Sequence, residues 1–192
     1  MAALSIGTGR VAVILAHEST GSLCQWWPYA RSLAAHFRVV AFDFDGSGGS
    51  PPGHGDYPGE VAAAAAWARQ HGSRQIILMG ASLGGLAVML AAANLGDSVT
   101  GVINLSGAAL YPPMDAVAAA RRVRVPVLFA YGTQDLGSVA DAGRVRAATA
   151  SADKPVVTSR SPDHGVELVE PPTADPKVRQ AVLQFIQAIT HG

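Results

Sequence analysis

The 192-residue sequence is poor in cysteine, in charge and in long apolar runs. Its one cysteine, Cys24, excludes an internal disulfide framework. The 14 basic and 14 acidic residues cancel, so neither nucleic acid nor an acidic membrane surface is an expected partner. The nearest thing to a basic run, Arg121-Arg122 with Arg124, reads as the polar end of a short helix. No apolar stretch reaches the roughly 18 residues that a membrane-spanning helix needs. Met1 to Arg10 has no basic start followed by an apolar run, so no signal peptide and a cytoplasmic location are expected. Charged residues make up 15% against 49% hydrophobic, which leaves ample material for a core. At about 150 residues per domain, one domain over residues 1–192 is expected. A globule of this size buries roughly 70% of its extended-chain surface without staples.

What is present is alternation. Apolar runs lie at Arg10–Ala16, Arg38–Phe42, Gln75–Met79, Val99–Leu105, Val125–Tyr131 and Pro155–Ser159. Several are apolar at successive positions, as strands buried on both faces of a parallel sheet should be. Between them the spacing predicts helices over Pro28–His36, Gly59–His71, Ser82–Leu95 and Val139–Ala150, the last capped by Ser138. A final helix starts at Asp175-Pro176 and places Val178, Val182, Phe185, Ile186 and Ile189 on one face. The repeated strand–helix order argues an α/β fold, with a minimal, mostly parallel six-stranded sheet and helices on both faces. Gly46–Gly59 is the one long Gly/Pro-rich loop, and it follows the second strand.

In such sheets functional residues sit beyond the carboxyl ends of the strands. After Gln75–Met79 comes Gly80-Ala81-Ser82-Leu83-Gly84, a G-x-S-x-G between a strand and a helix. A tight turn there strains the serine backbone and requires small neighbours. The glycines match neither G-x-G-x-x-G nor a phosphate loop with its lysine, so a nucleotide is not expected. After Val125–Tyr131 comes Asp135, and after Pro155–Ser159 comes His164. A serine hydroxyl needs a base, and an imidazole base needs a carboxylate to fix its tautomer. Ser82, Asp135 and His164 each follow a different strand, so all three can meet at one sheet edge. Taken singly, Asp135 reads equally as a cap and His164 as an ordinary loop histidine.

These residues, with the segments VAVILAHEST, WWPYARSLAAHFRVVAFDFDGSGGS, ILMGASLGG, VLFAYGTQD and PDHG, resemble the α/β-hydrolase family over essentially the whole chain. The resemblance implies Ser82 as nucleophile, Asp135 as acid and His164 as base. Asp43–Ser50 looks like the family's D-x-R-G-x-G-x-S loop, with Asp45 where arginine is common; its implied role is structural. The oxyanion hole needs two backbone N–H donors. One is expected from Leu83, directly after the nucleophile. The second is expected from the loop after the first strand, where His17-Glu18 replaces the common His-Gly. That pair is similar to the Gln-Glu of the dienelactone-hydrolase/carboxylesterase branch. By that analogy Ser19 N–H is the second donor, and Glu18, with His17 beside it, modulates the site by touching Ser82 at rest. A solvated loop carboxylate remains the alternative for Glu18.

Other residues read as structural. Cys24 is expected in the core. Trp26, Trp27 and Tyr29 read as helix packing or an acyl-pocket wall, and Tyr57 and Tyr111 are similarly open. His17, His54 and His164 lack metal-ligand spacing, so no metal and no cofactor are expected. Ser106–Arg124 spans 19 residues, enough for a short helix over Pro113–Arg122 but not for a lid domain. Only about nine residues precede the first parallel strand, so the family's leading antiparallel strands are expected to be missing or reduced. A lidless site favours water as the acyl acceptor. The expected activity is hydrolysis of carboxylic esters or lactones, with a small-molecule ester as partner. Thioester hydrolysis, perhydrolase chemistry and a non-catalytic binding role stay open, as does a homodimer.

Overall fold

The computed structural model describes residues 1–190, so the last two residues of the expected 1–192 span lie outside it. Its strands are β1 (Ala3–Ile6), β2 (Val11–Ala16), β3 (Arg38–Phe42), β4 (Gln75–Ala81), β5 (Gly101–Leu105), β6 (Leu110–Tyr111), β7 (Met114–Asp115), β8 (Val127–Gly132) and β9 (Val156–Ser159). Its α-helices are α1 (Trp27–Leu33), α2 (Tyr57–Gln70), α3 (Leu83–Leu95), α4 (Ala116–Ala120), α5 (Leu136–Ala148) and α6 (Pro176–Thr190). The main sheet runs β1-β3-β2-β4-β5-β8-β9. Every neighbouring pair in it is parallel except β1–β3.

Two cores follow from strand alternation. Ala12, Ile14, Ile76 and Leu78 face one side, where they meet Val61 and Ala65 of α2, Leu86 of α3, Ala120 of α4 and Val145 of α5. Val13, Leu15, Ile77 and Met79 face the other, against Tyr29 and Leu33 of α1 and Val178, Val182 and Ile186 of α6. All four residues of each strand set are fully buried. Each such aliphatic side chain contributes about 1.5–3 kcal/mol over leaving it in water. This double burial is why the strand sequences are apolar at successive positions.

The structure adds to the sequence reading at three places. The sheet has a seventh strand, because Ala3–Ile6 pairs antiparallel with β3 from Ala3↔Phe42 to Ile6↔Val39. That edge strand covers one face only and buries none of its four residues fully, so it carries no apolar run to read. The stretch Pro113–Arg122 is not one helix: it holds β7, the second strand of the small β6–β7 hairpin, and then α4, which Asp115 caps through Ala118 N–H. Helix α5 starts at Leu136 and not at Val139. Asp135, not Ser138, is its cap.

Candidate functional site

Strand β4 ends at Ala81 and α3 begins at Leu83, so Ser82 alone makes the turn. Its backbone sits at φ 51°, ψ −114°, a conformation that L-residues avoid unless their surroundings impose it. Here the Ser82 N–H donates to the Leu105 carbonyl at 3.0 Å, and its carbonyl accepts from Leu86 N–H at 3.1 Å and Ala108 N–H at 3.3 Å. Two glycines make room for the turn. A Cβ on Gly80 would lie 2.2 Å from the Gly84 carbonyl oxygen, and one on Gly84 would lie 2.2 Å from that of Ala16. The first turn of α3 therefore rests directly on the ends of β2 and β4. Leu83 N–H, in the first turn of this helix, has no intrahelical acceptor and stands at the positive end of the helix dipole.

Past β8, Asp135 caps α5. One carboxylate oxygen accepts from Ser138 N–H at 3.3 Å. The other accepts from the Ser138 hydroxyl and from His164 Nδ1 at 2.6 Å. Burial alone would raise the Asp135 carboxyl, but hydrogen bonds from Ser138 and His164 outweigh it and hold the group below its ordinary value. An ionised carboxylate at Nδ1 selects the tautomer with its proton there and leaves Nε2 free to act as a base. The His164 backbone N–H is held in turn by the Glu167 carboxylate at 3.0 Å.

Ser82, Asp135 and His164 follow β4, β8 and β9, whose carboxyl ends share one edge of the sheet. Beside His164, Gly165 turns at φ +53°, and its Cβ position lies 3.2 Å from the Ala81 side chain. The nucleophile candidate and the base candidate are thus chain neighbours of two residues that lie close together. Among the described residues no hydrogen bond joins Ser82 Oγ to His164.

The loop after β2 is held differently. His17 is buried, its Nδ1 lies 2.6 Å from the Glu18 carbonyl and its Nε2 accepts from Phe44 N–H at 2.9 Å. Burial lowers its pKa below the ordinary 6.5, which suits a ring that must accept at Nε2. Its edge packs on Phe44. Glu18 does not take Ser82 as a hydrogen-bond partner. One carboxylate oxygen accepts from Val166 N–H at 2.9 Å and the other from Gln25 Nε2 at 3.3 Å. The residue is half-buried, with a protein partner on each carboxylate oxygen. Ser19 is exposed, at the second position of a turn closed by Gly21 N–H on the Glu18 carbonyl at 3.0 Å.

Several residues escaped sequence reasoning. Gln25 and Val166 carry no local signature, since Glu18 and Val166 stand 148 positions apart. Asn104 did have one, as a polar residue inside the apolar β5. It is buried, ties Gly85 to Gly107 and so braces the head of α3. Cys24, expected in the core, is exposed. Trp26 and Tyr29 are buried, whereas Trp27 and Tyr111 are 45% and 50% exposed. Tyr57 packs on Phe44. Asp43 anchors its loop as the resemblance implied, accepting from Leu23 N–H at 2.6 Å and Gly49 N–H at 2.7 Å. Among the described residues no three His, Cys, Asp or Glu side chains gather as metal ligands would.

Solved structures of similar fold include a monoacylglycerol lipase from Paleococcus ferrophilus, with 19% identity, TM-score 0.82 and 98% of each chain covered. An enol-lactonase from Burkholderia xenovorans LB400 shows 17% identity and TM-score 0.81 over 96% of this chain and 95% of that one. A thermophilic esterase from Thermogutta terrifontis shows 16% identity and TM-score 0.77 over 98% and 93%. No curated protein matches the chain significantly. The family model described as alpha/beta hydrolase fold matches residues 11–139, two thirds of the chain, including Ser82 and Asp135 but stopping before His164. The chain belongs to the α/β-hydrolase fold family.

Proposed function

We propose that this chain is a serine hydrolase that cleaves carboxylic esters or lactones through Ser82, His164 and Asp135. The observation that carries the reading is the Asp135–His164 pair at 2.6 Å, on the sheet edge that also presents Ser82 in its strained turn. The similarity in fold to a lipase, an esterase and an enol-lactonase supports the same class.

In the proposed cycle Ser82 Oγ attacks the acyl carbon while His164 Nε2 takes its proton. Leu83 N–H and Ser19 N–H hold the oxyanion, each worth about 3 kcal/mol to the transition state. The imidazolium, stabilised by Asp135, returns the proton to the departing alkoxide. A water deprotonated by His164 then attacks the acyl-enzyme and frees the acid and Ser82. Only the β6–β7 hairpin and the five-residue α4 stand where larger hydrolases carry a lid, which favours an open site and water as the acceptor.

Hydrolysis of p-nitrophenyl acetate tests this. Ser82→Ala and His164→Ala should each lose on the order of 10⁶ in kcat, because triad members act as a unit. Unaltered turnover in either variant overturns the proposal.

A further inference from the structure

We infer that Glu18 is a positioning residue that locks the oxyanion loop to the loop bearing the base; this rests on the serine-hydrolase reading above. Here the carboxylate leaves the β2 loop and crosses to the other side of the site. It accepts from Val166 N–H at 2.9 Å, two residues beyond His164. Gly165 lies between them at φ +53°, and a Cβ there would sit 1.9 Å from Glu18 Oε1. The glycine is thus required twice, by its backbone and by the carboxylate passing over it.

Glu18 is fixed at its own end as well. Its second oxygen takes Gln25 Nε2 at 3.3 Å, and its N–H donates to Gln25 Oε1 at 3.3 Å. Its carbonyl is held by Gly21 N–H at 3.0 Å and faces His17 Nδ1 at 2.6 Å. The Glu18–Ser19 peptide is planar and trans, so fixing the Glu18 carbonyl aims the Ser19 N–H the opposite way. Glu18 therefore serves at both ends: its backbone turn aims an oxyanion donor, and its carboxylate ties that turn to the seat of the base. Errors of about 1 Å in such positioning can cost on the order of 10² in rate.

What matters in this account is reach and acceptor geometry, not charge. Glu18→Asp keeps the charge but is one methylene too short for Val166. Glu18→Gln keeps the reach and an oxygen acceptor. With p-nitrophenyl acetate, Glu18→Asp should lose about 10- to 100-fold in kcat with KM nearly unchanged. Glu18→Gln should recover most of that loss. Gly165→Ala should cost more in the wild-type chain than in a Glu18→Ala chain, where the obstructing carboxylate is gone. Equal losses in Glu18→Asp and Glu18→Gln, a change confined to KM, wild-type kcat in Glu18→Asp, or additive effects with Gly165→Ala would each overturn the inference. Failure of the serine reading is separate, since it shows as turnover surviving in Ser82→Ala.

Discussion

The elbow at Ser82 and the loops that face it are built by opposite means. The elbow is made by exclusion. Gly80 and Gly84 leave no room for a Cβ, and the buried ends of β2 and β4 force the turn. The facing loops, around Glu18 and His164, are made by attraction. Both are partly exposed, and side-chain hydrogen bonds from Asp135, Ser138, Glu167, Gln25 and Glu18 hold them. Steric exclusion gives rigidity that few substitutions survive. A hydrogen-bonded loop can be tuned one partner at a time, with graded effects on rate.

The largest effect expected on the attraction side is at Asp135. Asp135→Asn should lower kcat by about 10⁴, because the amide no longer selects the base tautomer of His164. The fold should persist, since an asparagine still caps α5. A kcat within tenfold of wild type would remove Asp135 from the proposed machinery.

On the exclusion side, Gly84→Ala pushes a methyl toward the Ala16 carbonyl and should destabilise the chain by about 3 kcal/mol. That corresponds to a Tm lower by roughly 6–12 °C. Gly143→Ala in α5 is the matched control, because nothing lies within 4 Å of its Cβ position. It should raise stability by up to about 1 kcal/mol. Equal responses at the two glycines in thermal unfolding would break the comparison.

A smaller change is expected at Ser138. Ser138→Ala removes a hydroxyl that helps hold Asp135 ionised. Loss of one hydrogen bond to a charged group costs about 1.5–3 kcal/mol, so kcat should fall roughly 10- to 100-fold. A kcat within twofold of wild type would detach Ser138 from Asp135.

The smallest effect concerns His17. Burial sets its folded pKa below the unfolded 6.5, so the unfolded chain binds the proton more readily. The contribution of His17 to stability is therefore complete above about pH 6.5 and is lost as pH falls from there through the folded value. Thermal unfolding from pH 8 to 5 should show this loss in the wild type and a flatter curve in His17→Gln. Parallel curves would contradict it.

The same contrast explains what the sequence made legible. The elbow left a local signature, since exclusion demands glycine at fixed spacing from Ser82. Strands buried on both faces left apolar runs, and β3 lies at Arg38–Phe42, the span the pattern predicts. The edge strand β1 left none, because one face of it meets solvent. The hydrogen-bonded side was legible only at Asp135 and His164, whose chemistry is distinctive. The partners of Glu18 were not, because a carboxylate can reach any donor that the fold brings near, and Val166 comes near only through β9 and the turn beyond it. Ser138 was read as a cap when Asp135 holds that place. The two stand three apart at a helix start, and only the structure shows which begins the turn.

In the proposed mechanism Ser82 carries the reacting hydroxyl, activated by His164. Covalent labelling by a fluorophosphonate, followed by mass spectrometry of the intact chain and its peptides, tests it most directly. One adduct per chain is expected, on the peptide that carries Ser82, with none in Ser82→Ala and strongly slowed labelling in His164→Ala. An adduct on another serine, Ser106 or Ser138 among them, or labelling of Ser82→Ala at the wild-type rate, would contradict it.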